Sequence, residues 1–352
     1  MKSLFKFAVI FLISSFACAC TPADRYVAVG GYAQGGTYTV KFNSRGVRLS
    51  PDKVRSRIDT ILHDIDFTLS GYNKASLLSR LNAGETITPN GMLCGMYDIS
   101  YKFFKDSGGA LDVAAGPLFD AWGFGFTTDS LPSAERIEAL KESSGMARLV
   151  PRMEDAIRPD GTLRSCDLLL DGAGAAPVLN FNAIAQGYSC DCVAAFLHSL
   201  GVKDMLVDIG EIYCEGLNPQ GKPWSVGIDS PVDGNNTPGA DMQGVWHSCG
   251  STGQGLVTSG NYRKFYVRDS RKYSHTVDPR TGFPVSHNLL SATVAAPDAT
   301  TADAVATWCM VVGLGDAAVL LRDLGLEGCL IYDKDGEMTV WTSSGFVLSP
   351  LN

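Results

Sequence analysis

Histidine is scarce in this 352-residue sequence, five in all, and bases are outnumbered, 29 Lys and Arg against 37 Asp and Glu. The net charge of −8 argues against nucleic-acid binding, which rests first on Lys and Arg neutralising phosphates. Beyond the first twenty residues no apolar run reaches spanning length without a charge or a turn, which excludes an interior transmembrane helix. Internal repeats and long linkers are missing too, so a solenoid or a string of separate modules is excluded. Helical and strand periods do not alternate regularly, as a doubly wound parallel sheet would require.

What is present begins with Met1-Lys2-Ser3-Leu4-Phe5-Lys6 and the apolar run FAVIFLISSFA, closed by CACTP. A cationic start, a hydrophobic stretch too short to cross a bilayer and small residues at its end make an export signal. Residues 1–19 read as a lipoprotein signal peptide. Cleavage after Ala17-Cys18-Ala19 would leave Cys20 to carry lipid, and ordinary secretory cleavage near Ala19 fits the same residues. The expected mature chain, residues 20–352, is exported and anchored through that lipid to a bacterial membrane, facing the periplasm. It is long enough for one large domain or two intimately packed subdomains.

Of ten cysteines, Cys18 and Cys20 belong to the signal. Cys94, Cys166, Cys190, Cys192, Cys214, Cys249, Cys309 and Cys329 are scattered through apolar segments. They read as buried small hydrophobes rather than a disulfide framework. Cys190-Asp191-Cys192 falls in a helical pattern where neighbours point about 100° apart, a poor metal clamp.

The patterning predicts an α+β fold of mixed sheets with packed helices. Helical periods cover residues 52–69, 92–105, 133–143, 183–200, 301–312 and 316–324. Strand patterns cover 37–42, 205–208, 224–228, 264–267, 290–295, 329–332 and 338–341. Asn218-Pro219-Gln220-Gly221 and Asp335-Gly336 read as turns, and residues 231–239 as a surface loop.

Four segments could carry chemistry. In DATTADAVATW, a helix capped by Thr300 or Thr301 would stack Asp303 and Thr307, four apart, on one face. A carboxylate beside a hydroxyl suits a hard cation such as Mg²⁺; a Thr307 hydroxyl bonded to a helix carbonyl, with Asp303 solvated, fits the same spacing. In LNFNAIAQGY a strand runs through Asn180 and Asn182 into a helix whose Ala183, Ala185 and Gly187 permit close backbone approach and whose first N–H groups could face an anion. The glycine-rich GGALDVAAGPLFDAWGFG is unlike an amphipathic helix and reads as a ligand-wrapping loop. Tyr72 in FTLSGYN offers a flat face for a ring. Packing or turn roles fit each of the last three as well.

Taken in order, these pieces resemble the FAD:protein FMN transferase family, the ApbE type, over nearly the whole mature chain. Matching wording includes AQGGTYTV (residues 33–40), LSGYNKASLLSRLN (69–82), GGALDVAAGPLFDAWGFG (108–125), NAIAQGY (182–188), LVDIGEIYCEG (206–216), NPQGKPWSVGI (218–228), VTSGNY (257–262), SHTVDPRTGFPV (274–285) and TADAVAT (301–307). The resemblance implies a T-fold-like flavin transferase domain and Mg²⁺-dependent transfer of FMN from FAD to a Thr or Ser hydroxyl of an extracytoplasmic acceptor, with release of AMP. The alternatives are hydrolysis of FAD to FMN and AMP, or an FAD-binding, scavenging lipoprotein.

Residue by residue, it implies Mg²⁺ ligands at Asp303, Thr307 and the Ala183 carbonyl. It places a catalytic base at His275, whose unperturbed pKa near 6.5 suits neutral pH. Contacts to FAD fall at Gln34, Tyr72, Ala110, Leu111, Asp112, Asn180, Gln186 and His275. Gln34, Asn180 and Gln186 depart from a common Met, Asp and Lys; the last two read as a linked exchange of a charged pair for neutral amides. The implied partners are acceptor flavoproteins such as NQR- or RNF-type membrane redox subunits.

Overall fold

The computed structural model describes residues 25–124, 131–148 and 178–350, save 234, 236, 238, 249–251, 263, 264, 269 and 270. The export signal, Cys18, Cys20, Cys166 and Cys249 lie outside the described residues.

The chain opens with a hairpin, β1 (Tyr26–Ala33) and β2 (Gly36–Asn43), followed by helices α1 (Pro51–Leu69), α2 (Leu77–Asn82), α3 (Gly91–Asp106), α4 (Gly116–Ala121) and α5 (Ala134–Ser143). After α6 (Ala185–Ser199) come β3 (Met205–Asp208), β4 (Ile212–Glu215), β5 (Ser225–Asp229), β6 (Met242–His247) and β7 (Gln254–Gly260). Short strands β8 (Phe265–Arg268), β9 (Arg271–Ser274), β10 (Val277–Asp278) and β11 (Phe283–Pro284) precede β12 (Leu289–Ala296). Helices α7 (Ala299–Val312) and α8 (Leu314–Leu324) and strands β13 (Glu327–Lys334), β14 (Glu337–Thr342) and β15 (Leu348–Ser349) complete it.

Eight strands form the central sheet in the order β1-β2-β3-β4-β7-β12-β13-β14. Every neighbouring pair in it is antiparallel. Because successive strand residues face opposite sides, Val257, Val294 and Leu330 join the main helical core, while Leu256, Ala295 and Ile331 join Trp224, Trp246 and Phe346 beneath the small β15-β6-β5 sheet. A third cluster gathers Leu118, Trp122, Ile137 and Val277 beside the glycine-rich segment. Helices on one face and a small sheet on the other are the α+β arrangement that the patterning predicts. No helix of the described residues is long and apolar enough to cross a membrane.

Local signals explain where the sequence reading succeeds. Pro51 opens α1, its fixed φ suiting a first helical turn, and Val54, Ile58, Leu62, Ile65 and Leu69 then repeat at three and four onto the core. The cap of α7 differs from expectation. Asp298, rather than Thr300 or Thr301, accepts the Thr301 N–H at 2.6 Å, since a carboxylate both receives that orphan donor and complements the helix dipole. The glycine-rich segment contains α4, one short helix started by Pro117, so it is not all loop. Cys94 is disulfide-bonded, with its partner outside the described residues, which corrects the reading of it as a buried thiol. Cys190, Cys214, Cys309 and Cys329 are buried and in no disulfide; Cys192 is half-buried and in none either.

Candidate active site

The site begins where two helices touch. A side-chain carbon on Gly187, in α6, would lie 2.1 Å from the Ala299 carbonyl oxygen and 2.9 Å from Asp303 Cβ. Only glycine therefore lets α6 and α7 approach this closely. The Gly187 N–H donates to Asp303 Oδ2 at 3.0 Å. One turn on, Asp191 accepts from the Ala299 N–H (2.9 Å) and from the N–H and hydroxyl of Thr300 (2.8 and 2.5 Å). The free start of α7 is thus tied to α6. Gly255 of β7 lets the same helix start press on the sheet, since a Cβ there would be 2.3 Å from Ala299 Cα.

Asp303 ends up only 4% exposed, so the solvated alternative fails. Burial pushes its carboxyl well above the usual range, the Gly187 N–H pulls it down, and the nearby Asp191 pushes it up again. Thr307 does not back-bond to the helix in the contacts it makes: its hydroxyl meets Ser259 Oγ at 3.2 Å. Asp303 thus meets α6 and Thr307 meets β7, on adjoining sides of α7.

The opposite wall is made of turns. His275 stands between β9 and β10, with its ring edge-on to Phe124 at 6.4 Å. Phe124, Tyr266, Tyr273 and Trp122 stack in series, with centroids 5.1, 5.3 and 5.8 Å apart. The turn after His275 is locked twice. Asp278 holds Arg280 through two side-chain contacts of 2.9 Å, and the Trp122 indole N–H donates to the Gly282 carbonyl at 2.8 Å. Gly282 has φ +81°, where a side chain would also strike Ile137. The Asp-Pro and Thr-Gly steps thus clamp the residues that follow the imidazole.

Between these walls lies a cavity of about 1040 Å³, ample for a dinucleotide. Gln34, Tyr72, Ala110, Leu111, Asp112, Asn180, Ala183, Gln186, His275, Asp303 and Thr307 all line it. Every catalytic, flavin-contacting and metal-ligating residue expected from the sequence thereby lines one space, while Cys20 lies outside the described residues. Tyr72 is 61% exposed and its hydroxyl accepts from Asn182 Nδ2 at 3.3 Å, which leaves it at the rim. Asn180 uses its Oδ1 on the Asn182 N–H at 2.9 Å, and the Gln186 amide lies against Gly210. Asp112 receives the N–H groups of Ala114 (2.8 Å) and Met146 (3.0 Å). Burial raises its pKa to about 6 despite those bonds, so it also fastens the loop wall.

Sequence reasoning did not single out Tyr32, Glu211, Thr258 or Ser259, which line the same cavity. Thr258 and Ser259 were within reach in VTSGNY. Glu211 was within reach in LVDIGEIYCEG. Tyr32 carried no signal, since an exposed tyrosine on an edge strand is ordinary.

The ApbE family profile matches residues 34–330. The chain is 32% identical over 303 residues to the FAD:protein FMN transferase of Escherichia coli K12, covering 84% of this chain and 81% of the relative. It is 29% identical over 354 residues to that of Haemophilus influenzae, covering 98% of each. Among solved structures, the flavin transferase ApbE of Vibrio cholerae superposes with a TM-score of 0.72 at 28% identity, over 91% of this chain and 97% of that one. The apo form of the Pseudomonas stutzeri flavinyl transferase ApbE gives 0.74 at 30%, over 91% and 95%. The chain belongs to the ApbE family and is an enzyme of the transferase class.

Proposed function

We propose that this enzyme transfers FMN from FAD to a Thr or Ser hydroxyl of an acceptor protein and releases AMP. The observation that carries the reading is the cavity that Asp303, Thr307, Ala183 and His275 line together with all the expected flavin-nucleotide contacts. FAD is the substrate, and the relatives at 32 and 29% identity bear that activity in their names.

The donor set fits Mg²⁺. A carboxylate, a hydroxyl and a backbone carbonyl are hard oxygen donors, and a buried carboxyl disfavoured as an anion by desolvation is one that a cation would return to its ionised form. Bound there, Mg²⁺ would neutralise charge developing on the pyrophosphate. Asp303, Thr307 and the Ala183 carbonyl would hold it.

The rest falls to the chain's own groups. His275, edge-packed on Phe124 and followed by a locked turn, is placed to take the proton of the attacking hydroxyl through an imidazole nitrogen. As that oxygen forms its bond to the FMN phosphorus, the bond from phosphorus to the bridging oxygen breaks and AMP leaves with it. Gly187 and Asp191 hold α7 so that Asp303 stays fixed while charge shifts, which is the preorganised arrangement that phosphoryl transfer rewards. Tyr72 at the rim offers an aromatic face to one of the two rings of FAD.

The acceptors we propose are extracytoplasmic flavoproteins, with NQR- or RNF-type membrane redox subunits as the leading class. The export signal and Cys20 support a lipid-anchored enzyme on the periplasmic side of a bacterial membrane. Incubation of the pure protein with FAD and Mg²⁺, with and without an acceptor domain carrying an Asp-Gly-x-Thr-Gly-Ala-Thr segment, tests the reading. Covalent fluorescence on the acceptor with stoichiometric AMP supports transfer. AMP and FMN without a labelled acceptor would point to hydrolysis, and FAD retained intact to a binding lipoprotein.

A further inference from the structure

Among the described residues the central sheet ends in two open strands, β1 and β14. Only β1 meets the cavity: Tyr32 lines it, as does Gly35 in the turn that follows, while no residue of β14 does. β1 pairs with β2 over its whole length without a bulge, and the turn between them is Gln34-Gly35, both at positive φ, a two-residue hairpin. The residues flanking such a turn exchange both hydrogen bonds, and bonding then alternates along the strands. Ala33, Gly31, Val29 and Val27 therefore bond to β2. The N–H and C=O groups of Tyr32, Gly30 and Ala28 point the other way, toward an edge that no described strand occupies. All three residues are exposed, Tyr32 by 73%.

Open edges are ordinarily blunted by Lys, Pro, an inward charge or a bulge, because they template the addition of another strand. YVAVGGYA has none of these. Gly30 leaves no side chain between Ala28 and Tyr32, so the outward-facing groups run unobstructed for about 14 Å toward the cavity. The proposed reaction brings a polypeptide hydroxyl into that cavity, and the acceptor's chain has to cross its rim to do so. We infer that β1 is the acceptor-docking edge: an extended segment of the acceptor protein adds to the sheet along Ala28, Gly30 and Tyr32 and so leads its Thr or Ser past the hairpin turn into the cavity. This rests on the transfer reading above. Main-chain bonds supply the affinity of such a strand addition. The Tyr32 ring, on the same face as Ala28 and Gly30, flanks the residue that enters.

Amide hydrogen exchange, read residue by residue on the wild type with FAD but no divalent cation, tests this without turnover. Adding the acceptor domain described above should slow exchange at Ala28, Gly30 and Tyr32 and leave Val27, Val29 and Gly31, already bonded to β2, as they were. Ala28→Pro removes one outward donor and sets a ring on the edge while the bonds to β2 stand. It should raise the KM for the acceptor about 10-fold, with kcat and the Kd for FAD unchanged. Acceptor-induced protection without that alternation, no protection at β1, or a folded Ala28→Pro with the wild-type KM would overturn the inference. The exchange pattern belongs to the wild type, so it decides the matter even where the proline variant does not fold. Protection of the three amides before acceptor is added also overturns it, assigning the edge to a second copy of the chain where it grows with enzyme concentration and to a segment of the same molecule where it does not. A wild type that labels no acceptor with Mg²⁺ present would instead overturn the transfer reading, and this one with it.

Discussion

Asp303 and His275 line one cavity, yet the protein reaches them by different routes. Asp303 belongs to a helix sunk in the main core, where Ala299, Ala302, Ala304, Val305 and Ala306 are all buried. Its position depends on backbone contact between helices, on its own buried carboxylate and on the half-buried one of Asp191. His275 belongs to a run of short strands outside the eight-stranded sheet, and its position depends on a turn and on aromatic edges. At the first end, geometry and stability are the same contacts. At the second, the side chain can change while the scaffold stands.

The sharpest way to break this comparison is Gly187→Ala. The added methyl would meet the backbone of Ala299 at 2.1 Å for the oxygen and 2.6 Å for the carbon, and backbone cannot rotate aside as a side chain does. The expected loss is about 3 kcal/mol or more, read by denaturant unfolding and accompanied by loss of activity. A variant as stable as wild type would mean that the two helices do not approach as described.

Asp303→Asn separates chemistry from packing at the same end. The amide oxygen can still accept the Gly187 N–H, so the melting temperature should move little, while Mg²⁺-dependent AMP release should vanish. At the other end, His275→Asn should lower transfer by roughly 10² to 10⁴ with FAD affinity and stability kept. Destabilisation by His275→Asn as large as that by Gly187→Ala would erase the contrast. Unchanged transfer in His275→Asn, with a wild-type rate profile flat around neutral pH, would reduce the histidine to a turn residue.

The two ends were also unequally legible in the sequence. Helices with clean periodicity were readable to within two residues, as at α1, α3 and α8. Strands β1, β4, β6 and β7 and the two- to four-residue strands β9, β10, β11 and β15 were not seen, and the strand read through Asn180 and Asn182 is an irregular segment and turn leading into α6. YVAVGGYA carries two glycines and IYCE is only four residues long, so neither shows a sustained alternation. The i, i+4 spacing of Asp303 and Thr307 was visible, but the burial of Asp303 was not, because it comes from Gly187 and Gly255 far away in the chain. The resemblance supplied the meeting of His275 with Asp303 in one cavity. No periodicity could have, since contacts between β9–β10 turns and a later helix leave no local pattern. The clamp by Trp122 on Gly282 was illegible for the same reason.

Thr307→Val tests a smaller share of the buried end. Removing one hydroxyl should weaken Mg²⁺ by about 10-fold, on the order of 1 kcal/mol, and leave Ser259 without its 3.2 Å contact. A titration of activity against Mg²⁺ concentration reads the shift. An unchanged midpoint would remove Thr307 from the proposed ligand set and leave Asp303 as its only side chain.

A last effect, on stability alone, belongs to the loop wall and concerns pH. Burial raises the Asp112 pKa from 3.8 to about 6, opposed by backbone N–H groups led by that of Met146. A carboxyl whose folded pKa exceeds its unfolded one binds a proton more tightly when folded. Its contribution to stability is therefore full below 3.8 and fades as pH rises through about 6. Asp112→Asn keeps an oxygen for one of the N–H donors but does not titrate, so subtracting its unfolding free energy from that of wild type isolates this group from the other carboxylates. The difference should fall by about 3 kcal/mol across that window and stay flat above it. A difference that rose with pH would mean that the N–H bonds to Ala114 and Met146 outweigh desolvation, and Asp112 would then be a stabilising anchor of the loop as an anion rather than in spite of its charge.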